Sequence, residues 1–474
     1  MKKILLVLLI FYSYGFTNQL PDLGSTSDNI INKFQEKKIR HELLSQVYAS
    51  PSVIKDPEVI DYINRLGEKL VRVNPELNIE DITFFTVKDP TINAFAMLGG
   101  IIGIHTGLLY AANSESELAS VLAHEIAHIS QKHLPRIIEA QSKDTFKTSL
   151  AMVFALLVAR SNAQLANAAM QTAVASAVQN TLDFTREHEK EADREGLLML
   201  NKAGFDERAA ISFFKTLDKA NQFTVGAAPS FLRTHPVTLD RISDIENRLK
   251  EFAYKQVSED PTFNLIQAKL KAYSGEPTNN ISIFENNLTD KGYLSDSSMN
   301  FALSYTYLRN NQIAKSRDYF NKVLYLKNTS PLITELGAKI LVKERKLEQA
   351  ENLYKESLLY FPNYKAYIYG LTDIYINMND LNKAINFVKQ KLLVYPRDYN
   401  LYMFLAKIYA KKDARYLEHK NLSEYFYFRF DLKESANQAS LAINASDADF
   451  YNKSSAEQRL KEIQSEIYLY DSIK

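Results

Sequence analysis

The chain has 474 residues, enough for two or more domains with a core in each. Its 57 Lys and Arg against 56 Asp and Glu leave a formal charge of +1. No long basic stripe runs through it, which argues against a nucleic-acid partner. Cysteine is absent, which excludes a thiol nucleophile, a thiolate metal site, disulfides and a leader joined to a lipidated cysteine.

Taken in chain order, Met1-Lys2-Lys3 precedes the apolar run Ile4 to Phe11, and Ser13 and Gly15 follow. A charged start, a short apolar stretch and small residues at its exit predict a secretory signal peptide over 1–15, cleaved near Gly15. The apolar run is too short to cross a bilayer. Residues 16–258 are then expected as one domain. Within it, residues 94–104 read as a strand with a turn at Gly99-Gly100. Such an edge strand can hold an extended peptide by backbone hydrogen bonds, with Asn93, Ala94, Phe95, Gly99 and Gly100 as candidates.

His124-Glu125-Ile126-Ala127-His128 continues the apolar, small-residue helix that begins near Ser116. Residues four apart share a helix face, so both imidazoles can reach one ion. Glu125 is offset by about 100°, placed to polarise a water without ligating the metal itself. A hydrolytic zinc site needs a third protein ligand and an open fourth position. Of the glutamates at 187, 189, 191 and 195, Glu189 alone has an aspartate four residues on, and Asp193 can then accept the free N–H of His124. His105, His133 and His188 are read as structural or solvated. The 136–183 insert, rich in Ala, Gln and Asn, is expected as amphipathic helices, forming a lid, a membrane- or substrate-facing surface, or a buried core element.

From about residue 260 the pattern becomes helix pairs. Ala314, Ala350 and Ala384 recur, as do Pro331, Pro362 and Pro396, at a period near 34. Residues 259–474 are therefore expected as a tetratricopeptide solenoid, whose concave surface would bind segments of other proteins.

Four motifs in order carry a family resemblance. The stretch Asn93 to Gly100 resembles N-A-F-A-x-P-G-G, with Leu98 in place of Pro. HExxH follows at 124–128. Arg186, Glu189, Glu191, Ala192, Asp193 and Gly196 resemble R-x-x-E-x-E-A-D-x-x-G, and Thr234-His235-Pro236 with Arg241 resembles T-H-P…R. These resemble the HtpX-like and CAAX-prenyl-protease superfamily. The resemblance implies one Zn2+ per chain on His124, His128 and Glu189, with Glu125 as general base and Asp193 orienting His124. It also places His235 and Arg241 in the catalytic machinery. His235 would either stabilise the oxyanion or occupy the open metal position, and the sequence does not choose.

The implied fold is mainly α (α+β): a zincin-type metallopeptidase domain with a small sheet, then an all-α repeat solenoid. An exported peptidase joined to such repeats resembles envelope proteases of Gram-negative bacteria. That likeness implies a periplasmic endopeptidase acting on misfolded or stalled outer-membrane β-barrel proteins. Its partners would be unfolded substrates and the β-barrel assembly machinery, with peripheral membrane contact allowed. The alternative is a largely non-catalytic or autoinhibited chaperone or scaffold. A membrane-embedded prenyl-protein protease would need apolar runs of about 20 residues, and the sequence has none.

Overall fold

The computed structural model describes residues 33–140, 186–223, 229–257, 260–289, 296–325 and 330–472. The expected signal peptide, and the expected insert from residue 141 onward, lie outside them. The first half consists of α1 (Lys33–Ala49), α2 (Pro57–Val71), β1 (Thr83–Val87), β2 (Ala94–Met97), β3 (Ile101–His105), α3 (Thr106–Ala111), α4 (Glu115–Ser130) and α5 (His133–Ala140). It continues with α6 (Arg186–Ala203), α7 (Ala209–Phe223), α8 (Ser230–Thr234) and α9 (Leu239–Leu249).

Local chemistry sets these boundaries. Asp56 caps α2 by accepting the N–H groups of Glu58 and Val59, with Pro57 at the first helical position. Ser114 caps α4 by accepting the Glu117 N–H at 3.2 Å. Every α4 residue from Ser116 to His128 is buried, so this helix runs through the core rather than along it.

The sheet has the order β1-β3-β2, with β1 parallel and β2 antiparallel to β3. The β2–β3 turn uses Gly99 and Gly100 at φ +75° and +71°, conformations that favour glycine. A Cβ on Gly100 would overlap the Asp81 carbonyl. Arg40 of α1 fastens the turn, donating to the carbonyls of Gly99 and Asp81 and to Thr83 Oγ1 at 2.7 Å. Gly99 and Gly100, expected with the substrate strand, thus form its turn. His105 N–H donates to the Asn93 carbonyl. By the alternation of an antiparallel ladder, Phe95 and Met97 then pair with β3, while the backbone groups of Ala94 and Ala96 face the free edge.

The second half pairs α10 (Pro261–Tyr273) with α11 (Pro277–Thr289), α12 (Asp296–Arg309) with α13 (Ile313–Tyr325), and α14 (Pro331–Lys343) with α15 (Leu347–Tyr360). Next come α16 (Lys365–Asn377) with α17 (Leu381–Val394), α18 (Tyr399–Lys411) with α19 (Arg415–Tyr427), and α20 (Leu432–Ile443) with α21 (Phe450–Ser472). The recurring prolines and alanines are not all equivalent. Pro362 and Pro396 follow second helices, but Pro331 opens a first helix. Ala350 and Ala384 are fully buried, whereas Ala314 is exposed. Its role falls to Ser316, whose hydroxyl donates to the Ser304 carbonyl while Ser304 returns the bond, each at 2.8 Å. Ser423 and Ser435 repeat this exchange between α19 and α20.

Packing does not break where the pattern changes at 258. One apolar core runs from Val59 of α2 to Ile340 of α14. Lys269 of α10 is fully buried; its ammonium donates to Asp56 at 2.7 Å and to Glu58. Burial works against the charge on Lys269, but Glu58 and its neighbours outweigh burial and hold its pKa well above the usual lysine range. Tyr364, just before α16, donates to the other Glu58 oxygen at 2.7 Å. At the far end the repeats return to α1: Arg429 donates to the Tyr48 carbonyl, and His41 stacks on Tyr470 at 4.6 Å. Removing one partner of a buried ion pair costs about 3–5 kcal/mol. Lys269→Met should therefore lower unfolding stability by about that amount in urea titration, and adding Glu58→Gln should restore part of it.

Candidate active site

Helices α4 and α6 cross closely enough for side chains on each to share one centre. Gly196 permits the approach, since a Cβ there would sit 3.3 Å from the backbone nitrogen of His124. Across this contact the donors converge. His124 Nε2 and His128 Nε2 lie 3.0 Å apart. Glu189 Oε2 is 3.4 Å from His124 Nε2, and Glu189 Oε1 is 3.4 Å from His128 Nε2. His235, immediately after α8, completes the set: its Nδ1 is 2.9 Å from Glu189 Oε1 and 3.3 Å from His124 Nε2. Among the described residues, His124, His128, Glu189 and His235 form the group of buried donors able to hold a metal ion.

The set fits a zinc ion. Tetrahedral bonds of about 2.0–2.1 Å place ligand atoms about 3.3 Å apart, close to the separations seen here. Two imidazole nitrogens facing each other at 3.0 Å, beside a carboxylate and sealed from water, also call for a shared cation.

Glu125 is completely buried beside this group, with Oε1 3.5 Å from His235 Nε2. Neither of its oxygens has a hydrogen-bond partner of good geometry. Burial raises its carboxyl above the usual range, and His235, His124 and the Ala96 N–H only partly oppose this. A buried carboxylate of raised pKa, without a hydrogen bond of good geometry, is suited to taking up and returning a proton. The Ala96 N–H belongs to the free edge of β2, so the base and the strand edge adjoin.

Around the donors lies a charged shell. Asp193 Oδ1 is 3.0 Å from His124 Nδ1, as the spacing suggested. Burial would lower the His124 pKa, but Glu189 and Asp193 outweigh it and lift the ring to about 10. Burial would likewise raise Glu189, yet His235 and His124 hold its carboxyl well below the ordinary value. Arg241, expected among the catalytic groups, grips carboxylates instead. It donates to both Asp193 oxygens at 2.7 and 2.8 Å, and its Nη1 is 2.8 Å from Glu189 Oε2. It is therefore placed to position the ligands. His235 is oriented by the Phe231 ring, stacked at 4.7 Å, and by its own N–H bonding to the Phe231 carbonyl.

Three histidines expected to be structural or solvated are buried. His105 meets Thr91 Oγ1 at 2.8 Å, away from the donor group. His133 Nδ1 lies 2.8 Å from His128 Nδ1, with His188 stacked on its other side at 4.5 Å. His133 and Glu191 are the neighbours that sequence reasoning missed. Five residues from His128, His133 falls off the helical period, and no glycine marks the turn that returns it.

Fold and site together give a candidate metal centre in the first half, joined to a helical-repeat half. Residues 58–249 match the model of peptidase family M48, and residues 341–408 match the tetratricopeptide repeat. These two segments are thus similar to an M48 peptidase domain, in line with the four motifs, and to tetratricopeptide repeats, in line with the ~34-residue period. A putative β-barrel assembly-enhancing protease from Vibrio cholerae is 36% identical over 258 residues, 54% of this chain and 53% of the relative. The chain thus spans about half the length of that relative. The β-barrel assembly-enhancing protease of Yersinia pestis is 28% identical over 84% of this chain and 81% of its own. A mitochondrial metalloendopeptidase of Schizosaccharomyces pombe is 30% identical over 42% of this chain and 56% of its own.

The helix crossing yields a prediction. Gly196→Val forces a branched side chain against the α4 backbone, an overpacking worth about 1–3 kcal/mol. The variant should lose that stability in urea titration and also carry less metal than wild type by elemental analysis.

Proposed function

We propose that the chain is an exported, zinc-dependent endopeptidase of the periplasm. It would cleave unfolded or stalled proteins, outer-membrane β-barrel proteins foremost. The observation that carries this reading is the buried group of His124, His128, Glu189 and His235 beside the buried carboxylate of Glu125. The substrate class is supported by what the relatives' names say they assist, β-barrel assembly. Export is supported by the charged and apolar pattern of residues 1–15, and among the described residues no helix is long and apolar enough to cross a membrane.

His124, His128 and Glu189 would hold the zinc, which when bound supplies a Lewis acid and lowers the pKa of water. An extended substrate would add to the free edge of β2 through the backbone of Ala94 and Ala96. Glu125 would take a proton from the attacking water and return it to the leaving nitrogen. Tetratricopeptide repeats bind protein segments, so the second half would hold substrate or the β-barrel assembly machinery.

Of the two roles open to His235, the geometry favours the latch. Its Nδ1 lies within the donor group and its Nε2 beside Glu125, where water and substrate would need to enter. The resting enzyme is then closed, and a partner or substrate must displace His235.

The test is cleavage of an unfolded β-barrel outer-membrane protein by the purified full chain. Glu125→Gln should keep one zinc and its thermal midpoint while losing about 10²–10⁴-fold in rate. Residual cleavage at the wild-type rate would overturn the assignment of the base. His235→Ala should cleave faster than wild type; a slower variant would assign His235 to transition-state support instead.

A further inference from the structure

A histidine offers one nitrogen to a metal reliably only when a partner fixes its other nitrogen. His124 has such a partner in Asp193. His128 is served differently: its Nδ1 lies 2.8 Å from His133 Nδ1, and His133 Nε2 lies 3.1 Å from Glu191 Oε2. We propose that His133 and Glu191 form a relay that fixes the tautomer and orientation of His128, making both positioning residues for the metal. This rests on the metallopeptidase reading above and extends it to residues outside the four motif ligands.

With both rings neutral, one proton arrangement satisfies the whole line. His128 keeps its proton on Nδ1 and donates it to His133 Nδ1. His133 then carries its proton on Nε2 and donates it to the Glu191 carboxylate. The arrangement leaves His128 Nε2 with a free lone pair, aimed at the other donors. Reversing either tautomer would put a proton on the metal side or set two N–H groups against each other.

The backbone is shaped for this contact. Helix α4 closes with the Gln131 and Lys132 N–H groups bonded back to Ala127 and Ile129. Lys132 adopts φ +52°, the left-handed conformation that turns the chain sharply at a helix end. His133, the first residue of α5, is thereby carried back against His128. Its ring is fully buried and stacked on His188, so it has one orientation available.

Helix α6 supplies the other end. Glu189 and Asp193 share the face toward α4, and Glu191 is offset by about 160–200° toward α5. Arg136 of α5 steadies the Glu191 carboxylate at 3.0 Å. One turn of α6 therefore provides a ligand and the outer partner for each of the two ligating histidines of α4.

The test reads zinc affinity of the full chain by competition with a chromogenic chelator. Loss of an outer-shell partner typically weakens metal binding 10–100-fold, and His133→Phe, which keeps an aromatic ring without an acceptor, should fall in that range. His133→Asn, whose amide oxygen can accept the His128 proton, should stay within about threefold of wild type. Glu191→Ala should weaken zinc several-fold in the wild-type background and change nothing in the His133→Phe background. Glu191 is half-exposed, so the single Glu191→Ala variant decides the question even where His133→Phe folds poorly, and wild-type affinity in it would overturn the relay.

Wild-type affinity in His133→Phe, an equal loss in the Phe and Asn variants, or an undiminished Glu191→Ala effect in the His133→Phe background would each overturn the relay. A wild-type chain without zinc affinity would overturn the metallopeptidase reading itself.

Discussion

Everything at the candidate centre depends on how closely α4 and α6 pack. Both are buried helices, and each carries only part of a site: two imidazoles and a base on one, carboxylates on the other. At an ordinary helix separation of 8–10 Å the two sets need long side chains to meet. Gly196 removes the obstacle where α6 passes His124, and the carboxylates then reach the imidazoles directly. Ala119, Ala123 and Ala127 of α4 are also fully buried, and Ala123 lies beside Gly196.

Close packing has an electrostatic consequence. The contact seals Glu125, Glu189, Asp193, Arg241 and three imidazoles away from water. Buried charges are tolerated only when paired, so the chain surrounds the centre with partners: Arg241 on Asp193 and Glu189, Asp193 on His124, His235 on Glu189. Glu125 is the least compensated of them: His235 Nε2 lies 3.5 Å away and neither of its oxygens has a hydrogen bond of good geometry. Its lack of compensation suits a group that must exchange a proton.

Much of this was legible in the sequence, because the decisive spacings are helical. His124 and His128, and likewise Glu189 and Asp193, are four residues apart, and a regular helix leaves no choice about their shared face. The β2–β3 hairpin could be read from Gly99-Gly100 between apolar residues. What escaped depends on irregular backbone or on tertiary packing. The left-handed Lys132 carries no glycine to announce it, so the return of His133 to His128 left no trace in the periodicity. Arg241 was assigned to chemistry because a motif says that it is near the metal, not which atoms it grips. Ala314 fits the repeat period yet faces solvent, since the buried crossing is made by Ser304 and Ser316. The repeat pattern begins near 260, but the core ignores that boundary, because Lys269 and Glu58 bind the two halves through a buried charge.

The central claim is that His124, His128 and Glu189 hold one zinc, with His235 closing the fourth position. The most direct measurement is zinc X-ray absorption on the purified full chain, with metal content determined on the same sample. One zinc per chain, with three imidazoles and one carboxylate oxygen at about 2.0–2.1 Å, is the predicted result. A chain without zinc, or a zinc shell lacking imidazoles, would contradict it.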